Sequence, residues 1–122
     1  MQLPQGYALK FTQNSNACYV VELLCHGVMI GNIRLVNVRT NFGSNAVNVL
    51  ETHSNLDPKF RNCGLGVAMY AGAIKFGLQQ GSAVVSSYAP STLAKRVWTS
   101  QRLAQEFVIM KLAKRWWVFK EK

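Results

Sequence analysis

Acidic residues are scarce. Glu22, Glu51, Asp57, Glu106 and Glu121 face fourteen lysines and arginines, and the formal net charge is +9. Such an excess draws anions to the surface: nucleic acid, a phosphorylated cofactor or an acidic protein face, without choosing among them. Cysteine and histidine are scarce too. Three cysteines, Cys18, Cys25 and Cys63, form an odd set without paired spacing, which argues against a disulfide framework and against zinc. His26 and His53 fall in no metal-ligand pattern, so no metal is expected. No window reaches the ~18 consecutive apolar residues of a membrane-spanning helix. The opening, MQLPQGYALKF, lacks the basic start and apolar run of a signal peptide, so a soluble cytoplasmic protein is expected. Repeats, low-complexity tracts and linkers are also missing, and 122 residues suit a single domain.

What is present reads first as strands. Tyr7–Thr12 alternates mildly, and 13-QNSNA-17 is turn-rich. Tyr19–Cys25 is β-branched and aromatic, 26-HG-27 can reverse it, and Val28–Val38 returns. After a loop at 39–45, Ala46–Ser54 places Val47, Val49, Glu51 and His53 on one face, and Asn48, Leu50, Thr52 and Ser54 on the other. From Val67 the period changes to helical, with Val67, Tyr70, Ala71, Ile74, Gly77 and Leu78 on one side and Gly81 as the stop. A short buried strand at 83–86 then makes a strand–helix–strand unit, which favours a parallel pair. A second helix is expected from Pro90 or Ser91 to about Arg102, and a closing hairpin from 107-FVIMK-111 through LAK to 115-RWWVF-119.

Between a strand and a helix stands Arg61-Asn62-Cys63-Gly64-Leu65-Gly66. The first amides of a helix lack internal partners and, with the helix dipole, attract anions. Gly64 and Gly66 remove side chains that would block approach, and Arg61 adds charge at the rim. A P-loop reading fails because no Gly-Lys-Ser/Thr ends the loop. A Rossmann reading fails because Met69 stands where a third small residue is needed and no suitable acid follows.

The remaining pattern, Arg/Gln-x-x-Gly-x-Gly/Ala, resembles the GNAT superfamily of acetyl-coenzyme A-dependent N-acetyltransferases. Leu56-Asp57-Pro58-Lys59-Phe60-Arg61 before the glycines, Ile30-Gly31-Asn32-Ile33-Arg34-Leu35 upstream and the final hairpin look like that family in the same order, over about residues 19–120. The resemblance implies an α+β fold: a mixed, mostly antiparallel twisted sheet with a central parallel strand pair and two main helices. It implies acetyl-CoA as cofactor. Arg61, Asn62, Cys63, Gly64, Leu65, Gly66 and Val67 would lie at its pyrophosphate, the backbone at Asn55, Leu56 and Asp57 along its pantetheine, and Trp98 against the pantetheine arm or in the core. A general base removes the amine proton; Glu51 and His53 are the candidates, with Glu22 more distant. The family's Asn-x-x-Ala-x-x-x-Tyr is replaced by Ser91-Thr92-Leu93-Ala94-Lys95-Arg96-Val97-Trp98, so the usual tyrosine proton donor is missing; Tyr88, Ser91 or water would take its place.

The family's helices between its first strands are also absent here, leaving the acceptor side open. An open cleft suits a macromolecular amine, on a protein lysine or N-terminus or linked to RNA, or a partner chain that completes the wall, so an oligomer is possible. Compact members of this kind are known from bacteria and phages. The alternative is a non-catalytic binding module of the same fold whose basic face meets nucleic acid or an acidic host protein. Lys95, Arg96, Arg102, Lys111, Lys114, Arg115, Lys120 and Lys122 would form that face, or serve only as a solvated surface. In 114-KRWWVFK-120 the tryptophans could stack on bases, although strand alternation buries one of them.

Overall fold

The computed structural model describes residues 3–61 and 63–122. Its strands are β1 (Tyr7–Ser15), β2 (Cys18–Cys25), β3 (Val28–Phe42), β4 (Asn45–Leu56), β5 (Val84–Ser86), β6 (Phe107–Leu112) and β7 (Arg115–Glu121). Its α-helices are α1 (Leu65–Gln79), α2 (Thr92–Trp98) and α3 (Gln101–Glu106). The strands form one sheet in the order β1-β2-β3-β4-β5-β7-β6. Every neighbouring pair is antiparallel except β4 and β5, which run parallel because α1 carries the chain back across the sheet. The expected α+β fold with a central parallel pair is the fold observed.

Differences from the sequence reading have local causes. Residues 39–45 are not a loop: β3 and β4 continue as a two-stranded ribbon to Phe42 and Asn45, reversed at Gly43, whose φ of 66° suits a tight turn. The second helix is two helices. Thr99 Oγ1 turns back to the Lys95 carbonyl at 2.8 Å, and Ser100 Oγ accepts from the Leu103 amide at 3.2 Å, starting α3 as a new N-cap. The closing hairpin, expected without a strand order, places β7 beside β5. Its turn, Ala113 and Lys114, takes φ values of 52° and 65°, the left-handed pair a two-residue hairpin needs.

The core lies between the sheet and the three helices. Leu65, Met69, Tyr70, Ala73 and Ile74 of α1 pack on Val21, Leu23, Ile33, Leu35, Leu50 and Val84, with Val97, Trp98 and Leu103 closing one end. Gly77 allows a close approach to the sheet: a Cβ there would stand 2.6 Å from Val84 Cγ2. On the opposite face Val49, Val85 and Trp117 form a smaller cluster. No helix among the described residues is long and apolar enough to cross a membrane.

Candidate functional site

The middle of the sheet opens where its parallel pair ends. β4 and β5 pair only from Leu50 with Val84 to Thr52 with Ser86. β4 then runs on to Leu56, held by β3 alone, while the chain leaves β5 at Ser86 and turns towards α2. The ladder between β3 and β4 is regular, and the Leu50 amide bonds the Ala83 carbonyl on the β5 side. Alternation therefore turns the backbone groups of Ser54 and Leu56 into the gap as well. Asn55 and Asp57 face β3 instead, and the Asp57 amide donates to Ile30 at 2.8 Å.

A cleft of about 320 Å³ occupies the opening, lined by residues from both faces, including Arg34, His53, Ser54, Tyr70, Ser91 and Trp98. On one face, Glu51 and His53 meet. Glu51 Oε1 lies 2.7 Å from His53 Nε2, and the other carboxylate oxygen accepts from Arg115 Nη2. Arg115 is buried, 1% exposed. Its Nε donates to the Ser86 carbonyl at 2.9 Å, and its guanidinium lies over the Tyr88 ring, 3.9 Å from the centroid. Counted in sequence among the basic surface residues, Arg115 is instead an internal counter-ion, brought there by the placement of β7 against β5. Trp117, beside it, is buried, while Trp116 is half-buried with Lys111 over its ring.

On the other face stands a hydroxyl pair. Tyr70, from the middle of α1, reaches Ser54 with Oη 2.6 Å from Oγ. Burial pushes the Tyr70 phenol above its ordinary value, and the hydroxyls of Ser54 and Thr52 pull the other way. Trp98 meets Tyr70 edge-on, centroids 5.8 Å apart. Its indole Nε1 is buried with no hydrogen-bond partner. Ser91 caps α2, accepting from the Ala94 amide at 3.1 Å. Tyr88, the other sequence candidate for a proton donor, is 71% exposed and engaged by Arg115.

The glycine loop opens α1. Gly64 is the N-cap with φ of 82°, a left-handed conformation that glycine adopts without strain, and no side chain caps the helix. The Ala68 amide is the first to close on Gly64, so the amides before it have no partner within the helix. A second groove of about 120 Å³ runs along Gly64, Gly66, Val67, Leu93, Arg96 and Val97. Arg102 Nη1 lies over Gly64, where a Cβ would otherwise stand. Arg61 Nε donates to the Leu56 carbonyl at 3.1 Å, tying the loop to the end of β4. Cys63 is exposed and donates to Phe60 O; Leu65 is buried in the core; Asp57 caps the intervening 3-10 turn through Lys59 N. Asn62 lies outside the described residues.

The structure thus brings His53, Ser91 and Trp98 to one cleft, with Glu51 bonded to His53 beside it, and Gly64, Gly66 and Val67 to a groove at the start of α1. Sequence reasoning missed Arg115, Tyr70, Ser54 and Arg102. For Tyr70 the helical period gave a signal, but it read as core packing. For Arg115 no local signal exists, because its partner Glu51 is 64 residues away.

No family model matches the chain, and no curated protein sequence does. Solved structures do. A mutant of the toxin AtaT, bound to the C-terminus of the antitoxin AtaR and acetyl-CoA, superposes with a TM-score of 0.65 at 9% identity, covering 94% of each chain. The KacTA–DNA complex gives 0.63 at 12% identity, over 87% of this chain and 70% of that one. A GNAT-family acetyltransferase from Streptococcus pneumoniae gives 0.56 at 12% identity, over 86% and 66%. The glycine-opened helix, the parted parallel strands and these likenesses agree: the chain has the fold of the GNAT acetyltransferases.

Proposed function

We propose that the chain is a GNAT-superfamily N-acetyltransferase that moves an acetyl group from acetyl-CoA to an amine. The observation that carries the reading is the gap between β4 and β5, with an acid–base pair on one face, in a chain that also has a glycine-cleared helix N-terminus. Acetyl-CoA fits the residues present. The first amides of α1, with Arg96 and Arg102 beside them, suit its pyrophosphate. The backbone edge at Ser54, beyond the last β4–β5 pairing, suits the amides of its pantetheine, and the unpartnered Trp98 Nε1 is a donor awaiting an acceptor. The bound thioester supplies an activated acetyl carbon.

The chain's own groups divide the remaining work. Both Glu51 oxygens are engaged, one by His53 and one by Arg115, so Glu51 serves as a positioning residue. With Nε2–H donating to Glu51, His53 keeps Nδ1 as the nitrogen with a free lone pair, suited to take the amine proton. Backbone amides facing the gap polarise the carbonyl. A single turn at Asn16 and Ala17 joins β1 to β2, with no helix to wall the acceptor side. That openness, with the +9 charge, supports a large acceptor bearing negative charge.

Titration calorimetry with acetyl-CoA tests the reading. Binding at tens of micromolar or tighter is expected, and Gly64→Trp, which fills the cradle, abolishes it while the protein still melts cooperatively. No binding to the folded wild-type chain sinks the proposal; unchanged affinity in the variant sinks the placement.

A further inference from the structure

We propose that Tyr70, on α1, is the proton donor to the sulfur that leaves as acetyl is transferred. The inference rests on the acetyl-transfer reading and adds a role that α2, which presents Trp98 to the cleft, does not fill. An indole N–H donates a hydrogen bond but does not give up its proton to a thiolate. Trp98 is 2% exposed and lies edge-on to the Tyr70 ring, so the bulk of the indole and the phenol share one end of the cleft. Tyr70 is the phenol at that end: the ring is buried among the core residues, and its hydroxyl meets Ser54, whose backbone also faces the gap.

The two hydroxyls act as one unit. In a pair 2.6 Å apart one oxygen donates and the other accepts, leaving one proton for a third group. With Ser54 donating to Oη, and with Thr52 Oγ1, the other hydroxyl beside the phenol, donating to the Val85 carbonyl at 3.3 Å, the proton left to give is that of Tyr70. As the amine nitrogen forms its bond to the acetyl carbon, the carbon–sulfur bond breaks and its electron pair stays on sulfur. Tyr70 gives that sulfur its proton, and His53, on the opposite face, has taken the proton from nitrogen. Ser54 relays a proton from solvent back to Oη, and His53 returns its own to solvent, so the two faces end as they began. The other hydroxyls near the cleft are less apt: Thr52, Ser87 and Ser91 are alcohols, far weaker acids than a phenol, and Tyr88 is 71% exposed with its ring under Arg115. Buried phenol chemistry also suits the role, since a raised value keeps Tyr70 protonated at neutral pH.

Tyr70→Phe keeps the ring and removes only the hydroxyl, and coenzyme A is the probe. The ultraviolet absorbance of its thiolate is titrated in complex with each protein, a readout that needs no acceptor and no turnover. Donation from Tyr70 favours the thiolate, so Y70F lowers the thiolate fraction of bound coenzyme A at fixed pH by about tenfold, with affinity held within about twofold. Equal titration curves in the two complexes overturn the assignment of Tyr70 while leaving acetyl transfer standing. Failure of coenzyme A to bind wild type overturns the acetyl-transfer reading and this one with it. Should Y70F not fold, Ser54→Ala is read instead: it keeps the phenol and removes its donor, so a smaller loss of thiolate supports the assignment and no change overturns it.

Discussion

Arg115 is the least solvated charge described in the protein, at 1% exposure, and Glu51 is the only carboxylate bonded to it among the described ion pairs. Replacing Glu51 with glutamine keeps the shape and one acceptor oxygen but removes the charge. Stripping a buried ion of its partner costs about 3–5 kcal/mol. The glutamine carbonyl still accepts from the guanidinium, which restores about 1.5 kcal/mol. The Ser86 carbonyl and the Tyr88 ring stay in place in both proteins and do not enter the difference. A loss of about 1.5–3.5 kcal/mol is expected for Glu51→Gln. At about 2.1 cal/mol/K per residue over 122 residues, the entropy of melting is about 0.26 kcal/mol/K, so the loss appears as about 10 °C in Tm. Arg115→Met is expected to be the milder change. It leaves the charge on Glu51, whose side chain is 14% exposed and keeps His53. Urea unfolding at pH 7 ranks the two variants. If Glu51→Gln stays within 0.5 kcal/mol of wild type by the usual spread of surface changes, or if Arg115→Met is the more damaging, the counter-ion argument is wrong.

Two further outcomes follow from packing and burial. Gly77→Ala places a methyl 2.6 Å from Val84 Cγ2 and 3.3 Å from Leu50 Cδ1, both on buried residues with no room to retreat; overpacking of about 1–3 kcal/mol outweighs the ~1 kcal/mol gained by alanine in a helix, and a more stable variant in urea unfolding refutes it. The raised phenol of Tyr70 makes a pH prediction. Below about pH 10 both the folded and unfolded chains hold the proton, and above it the unfolded chain loses its proton first. Stability contributed by Tyr70 is therefore complete below that point and falls as pH rises towards the folded value, by at most about 1.4 kcal/mol per pH unit. Y70F shows a shallower fall between pH 9 and 11 in urea unfolding, and parallel curves count against the burial of Tyr70 as the cause.

Legibility in the sequence followed the range of the interactions. The α1 unit was readable because its signals are local: the glycines, the change of period at Val67 and a short apolar strand after Gly81. Glu51 and His53 were readable as neighbours because alternation alone puts residues two apart on one face of a strand. Arg115 was not, since its position depends on β7 lying beside β5, a matter of strand order that the hairpin pattern 107–119 does not specify. Tyr70 was seen only as one of the apolar positions of α1, because the hydroxyl that sets it apart finds its partner on β4. The break between α2 and α3 was hidden by two candidate caps in one stretch: Ser91 was read as a start, and Ser100 was passed over inside the expected helix.

The placement of β7 in the interior of the sheet also orders events during synthesis. Among the strands described, β7 leaves the ribosome last, yet it lies between β5 and β6 and brings Arg115 to Glu51. Until it emerges, Val84 and Val85 form an unprotected strand edge of the kind that invites pairing between chains. The acid–base pair likewise has no counter-ion until then. The nascent chain thus closes the β5 edge and gives Glu51 its buried counter-ion in the same step, so an arrested or clipped product lacking β7 is adhesive and leaves Glu51 without Arg115.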